Sequence, residues 1–135
     1  MKELDILATK ENLVNVLSFV DEELEKAECS MKAQMQIDLA VEEIFINIAT
    51  YAYHPDTGPA LIRVEVVKDP LSVVLSFRDQ GIPYDPLAKD DPDVTLSADE
   101  RQVGGLGIFL TKKSMDDIAY EYKDGQNILT IRKNL

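Results

Sequence analysis

Glu43 and Asn47 pair a carboxylate with an amide one helical turn apart, close enough to address one ligand. With Ile37 set at zero and about 100° of rotation per residue, Val41, Ile44, Ile48 and Ala52 fall within roughly 60° of it and define a core face. Gln36, Glu43, Asn47 and Thr50 gather roughly 80° to 140° from Ile37, with small Ala40 among them. An amide oxygen can bind a hard cation, while a neighbouring carboxylate orients a nucleophile and takes its proton. The pair therefore suits magnesium-phosphate chemistry. Standing alone it reads as an ordinary polar helix face.

Two further motifs change that reading. Asp79, Gln80, Gly81, Ile82 and Pro83 follow directly on an apolar alternating run. There a glycine admits a turn that other residues resist and lets a ligand come close. An aspartate in that turn can accept a hydrogen bond from the exocyclic amine of adenine, although Asp, Gly and Pro also make plain strand-ending turns. Gly104, Gly105, Leu106, Gly107 and Ile108 then open a helix. Exposed amides and the helix dipole at such a start favour phosphate oxygens.

These groups must be held by a small set of elements. A strand is expected over 2–8, then a helix over roughly 10 to 27 with Thr9 as its N-cap and Leu13, Val16, Leu17, Val20 and Leu24 as its apolar stripe. Ser30 caps the longest helix, about 31 to 53, which ends at His54 and Pro55. A hairpin follows, with strands over 61–67 and 71–77. Residues 79–104 lack sustained periodicity and hold Pro83, Pro86, Pro92 and many acids, and irregular stretches of that length are usually functional. A helix over about 105 to 115 and strands near 117–123 and 127–133, around Asp124 and Gly125, complete the chain. The expected architecture is an α+β two-layer sandwich, with helices on one face of a mixed, mostly antiparallel sheet. One domain is expected to fill residues 1–135.

In this order the three motifs resemble the GHKL superfamily of ATPases and kinases, which bind ATP in a Bergerat-type pocket, and within it the short anti-sigma factor serine/threonine kinases. The resemblance covers the chain from about residue 35 to the C-terminus. It implies that Glu43 is the catalytic base and Asn47 the Mg²⁺ ligand, and that Asp79 reads adenine in a pocket shaped by Gly81. It implies further that Gly104, Gly105, Leu106, Gly107 and Ile108 hold the ATP phosphates, and that residues about 84–103 form a lid. Tyr51 stands where many relatives have histidine, and Gly125 is followed by Gln126 and Asn127 where a Gly-Thr pair is usual; Asn127 is a candidate polar substitute. The implied reaction transfers the γ-phosphoryl group to a serine or threonine of a STAS-type anti-anti-sigma partner. Phosphorylation would release that partner and leave the kinase to sequester another factor, a sigma factor among the candidates. The rival readings are a nucleotide-gated protein-binding regulator without phosphotransfer and a metal-dependent hydrolase using the acidic loop, whose aspartates show no fixed ligand spacing.

Composition narrows the partners. Against 14 basic residues stand 25 acidic ones, a net charge of -11, which excludes a surface that grips nucleic acid or anionic lipid through phosphate contacts. A protein partner fits better, and a second copy of the chain is retained as a candidate. The acids from Asp21 to Glu28 and from Asp85 to Glu100 read as solvated faces. The lone cysteine, Cys29, permits no internal disulfide, the N-terminus lacks a signal-peptide pattern, and no apolar run approaches the roughly 20 residues of a membrane span; a cytoplasmic location is expected. His54, the single histidine, reads as a surface turn residue, and Lys112 and Lys113 as solvated.

Overall fold

Runs of β-branched residues that bury every second side chain make the sheet, and helices with one apolar stripe cover it. A computed structural model describes residues 1–68, 70–88 and 105–135. Five strands, β1 (Lys2–Leu7), β2 (Pro59–Val67), β3 (Ser72–Asp79), β4 (Asp117–Lys123) and β5 (Gln126–Asn134), form one open sheet in the order β1-β2-β3-β5-β4. Every pairing in it is antiparallel. Ile62, Val64, Val73, Leu75, Phe77, Leu129 and Ile131 are buried, whereas the intervening Arg63, Val74, Ser76 and Thr130 are only half-buried. That alternation is the period-2 signature of a sheet covered on one face.

The cover consists of α1 (Leu13–Lys26), α2 (Met31–Asn47) and α3 (Gly105–Ser114). Val16, Val20 and Leu24 of α1 and Ile37, Val41, Ile44 and Phe45 of α2 are fully buried in the cluster that includes the inward sheet residues. Each such side chain contributes roughly 1.5–3 kcal/mol by leaving water. Ser30 caps α2 as expected, its Oγ accepting from the Ala33 amide at 3.2 Å.

Two helix ends differ from the sequence expectation. Thr9 makes no side-chain cap; a 3-10 turn over Lys10–Asn12 intervenes and the α-helix starts at Leu13. Asn12 explains the shift, because its Nδ2 donates to the Leu7 carbonyl at 2.8 Å and its Oδ1 accepts from Asn15 at 3.0 Å, tying the end of β1 to the first turn of α1. The long helix does run toward residue 53, but it changes at Asn47 from α to a π turn over Ile48–Ala52. Among the described residues, no helix is long and apolar enough to cross a membrane.

Where α1 packs on α2, Asp38 is pushed up to about 7, first by burial, then by its hydrogen bond with Asp21 and the repulsion of that carboxylate. A carboxyl that keeps its proton in the fold but loses it near 3.8 when unfolded makes the native state less stable as pH rises from about 4 to 7. Asp38→Asn should therefore raise Tm at pH 7.5 while leaving Tm at pH 4 nearly unchanged, as measured by thermal unfolding across pH. An Asn variant with the parent's full pH slope would contradict this source of the slope.

Candidate active site

The inward alternation of β3 ends on Asp79, which therefore points beneath the helices and is buried. Strand register places Asn127 of β5 directly opposite it. Asp79 Oδ1 accepts from the Gly81 amide and from Asn127 Nδ2, both at 2.9 Å. Asn127 Nδ2 also donates to the Ile82 carbonyl at 2.8 Å, and Asn127 Oδ1 accepts from the Tyr84 amide at 3.1 Å and from the Tyr120 hydroxyl. The amide of Asn127 thus fills both donor and both acceptor positions. Burial first, aided by the carboxylates of Asp85 and Asp79, pushes the Tyr120 hydroxyl above its ordinary value, so it remains a donor at neutral pH.

Among the described residues, both bonds to Asp79 converge on Oδ1. Oδ2 is left for a ligand in the adjoining cavity, whose empty volume is about 580 Å³. Ile44, Ile48, Phe77, Ile82, Ile108 and Leu129 give this cavity apolar walls. Tyr51, Tyr84 and Tyr120 stand around it, and Asn47 supplies a polar group from α2. Apolar walls around one directional acceptor suit a flat heterocycle that carries an amine.

The π turn makes this geometry possible. It presents the Ala52 carbonyl to the turn after β3, where the Ile82 amide donates to it at 3.0 Å. A side chain at Gly81 would place its Cβ 2.2 Å from that oxygen, so only glycine fits the close approach. Tyr53 braces the same turn, its hydroxyl donating to the Pro59 carbonyl at 2.6 Å and accepting from the Gln80 amide at 2.8 Å. Inserted π turns recur at functional sites, and here the insertion brings the Ala52 carbonyl to the turn after β3 and Ile48 and Tyr51 to the cavity.

Glu43 and Asn47 meet as the sequence predicts, Asn47 Nδ2 donating to Glu43 Oε1 at 3.1 Å. That bond turns the Asn47 oxygen away from the carboxylate and leaves it available to a hard cation. The two residues face different spaces: Asn47 lines the cavity, while Glu43 lines a groove between α2 and α3. Gly107 lies so close to Glu43 that a Cβ there would sit 2.1 Å from the carboxyl carbon. Gly105 and Leu106 form the first turn of α3, and Ile108 reaches the cavity. Gly104 lies outside the described residues, as does the expected lid beyond residue 88. The start of that segment is anchored, with Pro86 buried, Leu87 packed against the core, and the Leu87 amide donating to Asp85 Oδ1 at 2.8 Å. Among the described residues no group of three or more His, Cys, Asp or Glu is placed so that it could hold a metal ion. A divalent ion would therefore take most of its ligands from phosphate and water, the usual habit of magnesium.

Glu43, Asn47, Asp79 and Gly81 stand in motifs visible in the sequence, whereas Tyr53, Tyr84 and Tyr120 were not among the residues expected here. Their spacing carries no motif, and only the fold brings them to the DQGIP turn and the cavity.

A family model of the histidine kinase-like ATPase domain matches residues 6–133. The chain is similar to the serine/threonine-protein kinase BtrW of Bordetella bronchiseptica, 27% identical over 128 residues that span 95% of this chain and 89% of that one. It is similar also to the serine-protein kinase RsbW of Listeria monocytogenes, 28% identical over 109 residues that span 77% of this chain and 68% of that one.

Asn127→Ala should lower stability by roughly 1–3 kcal/mol, because it strips the buried Asp79 and the Ile82 carbonyl of a donor. Urea unfolding measures the loss, and an unchanged midpoint would show that the four bonds to Asn127 do not hold the turn.

Proposed function

The chain belongs to the histidine kinase-like ATPase domain family, and on that premise we propose that it is an ATP-dependent serine/threonine protein kinase of the anti-sigma factor type. Its substrate in this reading is a STAS-type anti-anti-sigma protein. The observation that carries the proposal is the hydrogen-bonded pair Glu43 and Asn47, which stands where the cavity gives way to the groove.

In this reading Asp79 accepts from the adenine amine through Oδ2, and the apolar walls stack on the ring. Gly105, Leu106 and Gly107 offer amides of the first turn of α3 to the phosphates, helped by the positive end of that helix. Gly104 would extend the same cradle. The oxygen of Asn47 would hold magnesium, which would neutralise phosphate charge and leave catalysis mainly to positioning. Glu43 takes the proton of the acceptor hydroxyl as its oxygen bonds to the γ-phosphorus, and the bond to the β-γ bridging oxygen breaks, releasing ADP. The phosphorylated partner then dissociates, and the kinase is free to hold a sigma factor. The strongly acidic composition supports a protein substrate over nucleic acid.

Two substitutions separate binding from transfer. Glu43→Gln keeps shape and hydrogen-bonding capacity but cannot take a proton, so it should leave ATP affinity within about twofold and lower transfer to a purified STAS protein by about 10² to 10⁴. Full transfer by this variant would remove Glu43 as the base. Nucleotide binding without transfer by either form would instead favour a nucleotide-gated binding regulator. Asp79→Asn should weaken ATP far more than GTP in equilibrium titration, and a native chain that binds both equally would contradict the assignment of the adenine contact.

A further inference from the structure

Glu43 is directed away from the proposed adenine cavity. The groove it lines has an empty volume of about 1130 Å³, with Gln36, Leu39 and Glu42 on one wall and Leu110 and Lys113 on the other. It runs along α3 from Gly107 to Ser114, two helical turns or roughly 10 Å. Phosphates held at the first turn of α3 would occupy only the Gly107 end. The remaining length matches about three residues of extended polypeptide.

Its chemistry is that of a peptide site. Leu39 is 61% exposed and Leu110 is 55% exposed, on opposite walls and without apolar cover among the described residues. The hydroxyls of the groove are turned inward: Thr111 Oγ1 donates to the Gly107 carbonyl and Ser114 Oγ to the Leu110 carbonyl, both at 2.9 Å. Among the described residues, fixed charge in the groove comes from Glu42 and Glu43 on the α2 wall and from Lys113 on the α3 wall.

We propose that this groove docks the acceptor segment of the protein substrate, a short extended stretch with its serine or threonine at the Glu43 end, an apolar residue seated between Leu39 and Leu110, and a basic residue against Glu42. The proposal rests on the kinase reading and adds where and how the substrate binds. Continuity supports the occupant, because the groove opens at its Gly107 end onto the only carboxylate that is hydrogen-bonded to the Asn47 side chain among the described residues. Charge supports it too, since an acidic wall opposite a lysine selects against a uniformly acidic segment.

The test compares Leu39→Glu, Leu110→Glu and, as a control on a different exposed surface, Val14→Glu, using a purified STAS-domain protein of the same organism as acceptor. The two groove variants should raise KM for the acceptor by about tenfold or more while ATP affinity and basal ATP hydrolysis stay at the parent's values, and the control should match the parent throughout. Circular dichroism verifies that each variant is folded. Transfer indifferent to both groove substitutions would overturn the groove assignment alone. Absence of transfer by the parent chain would overturn the kinase reading and the groove with it. A change of oligomeric state with transfer intact would assign the groove to a second copy of the chain and overturn the proposal.

Discussion

The pairing of β3 with β5 sets Asp79 opposite Asn127, and the candidate site depends on that register. A slip of one residue would turn Asp79 to the uncovered face of the sheet, along with Phe77 and Leu75. In register, the carboxylate sits under the helices, where a strand neighbour and a turn amide both donate to it. Asn127 in turn holds the Ile82 carbonyl and the Tyr84 amide, so one cross-strand pair positions the turn after β3 and the chain that leaves it. The cavity is shaped by backbone and by buried polar bonds as much as by apolar packing.

The second constraint lies in α2. Its buried stripe from Ile37 to Phe45 fixes how the helix lies on the sheet, which leaves Glu43 and Asn47 on the remaining face. The π turn after Asn47 then rotates the chain so that the Ala52 carbonyl meets the Ile82 amide, while Asn47, the last residue of α2, faces the cavity. A helix with unbroken α geometry would carry the same residues without that meeting. In the proposed reaction, adenine recognition and proton transfer would lie on opposite sides of a single hydrogen bond, Asn47 to Glu43.

Much of this was legible in the residues. The alternation in the hairpins, the apolar stripes of both long helices and the Ser30 cap are local patterns, and local patterns survive folding. The Glu43–Asn47 pair was visible because helical spacing alone brings it together, and Asp79 and Gly81 because a strand-ending turn has a distinctive composition. What could not be read was non-local or finer than the pattern. The tyrosines come to the site from the end of the π turn, the chain that follows β3, and β4, and Asn127 meets Asp79 only through register. The α-to-π change leaves the hydrophobic spacing of Ile44, Ile48 and Ala52 intact, so no periodicity marks it. Thr9 misled because a threonine before a helix is usually a cap, whereas here Asn12 bonds the strand end and starts the helix later.

In the proposed reaction, phosphate passes from ATP in the cavity to a hydroxyl that meets Glu43 from the groove. Incubation of the native chain with γ-labelled ATP, magnesium and a purified STAS-domain protein, followed by mass spectrometry of the acceptor, tests it most directly. The account predicts near-stoichiometric label on one serine or threonine. Tight ATP binding with an unlabelled acceptor would contradict it.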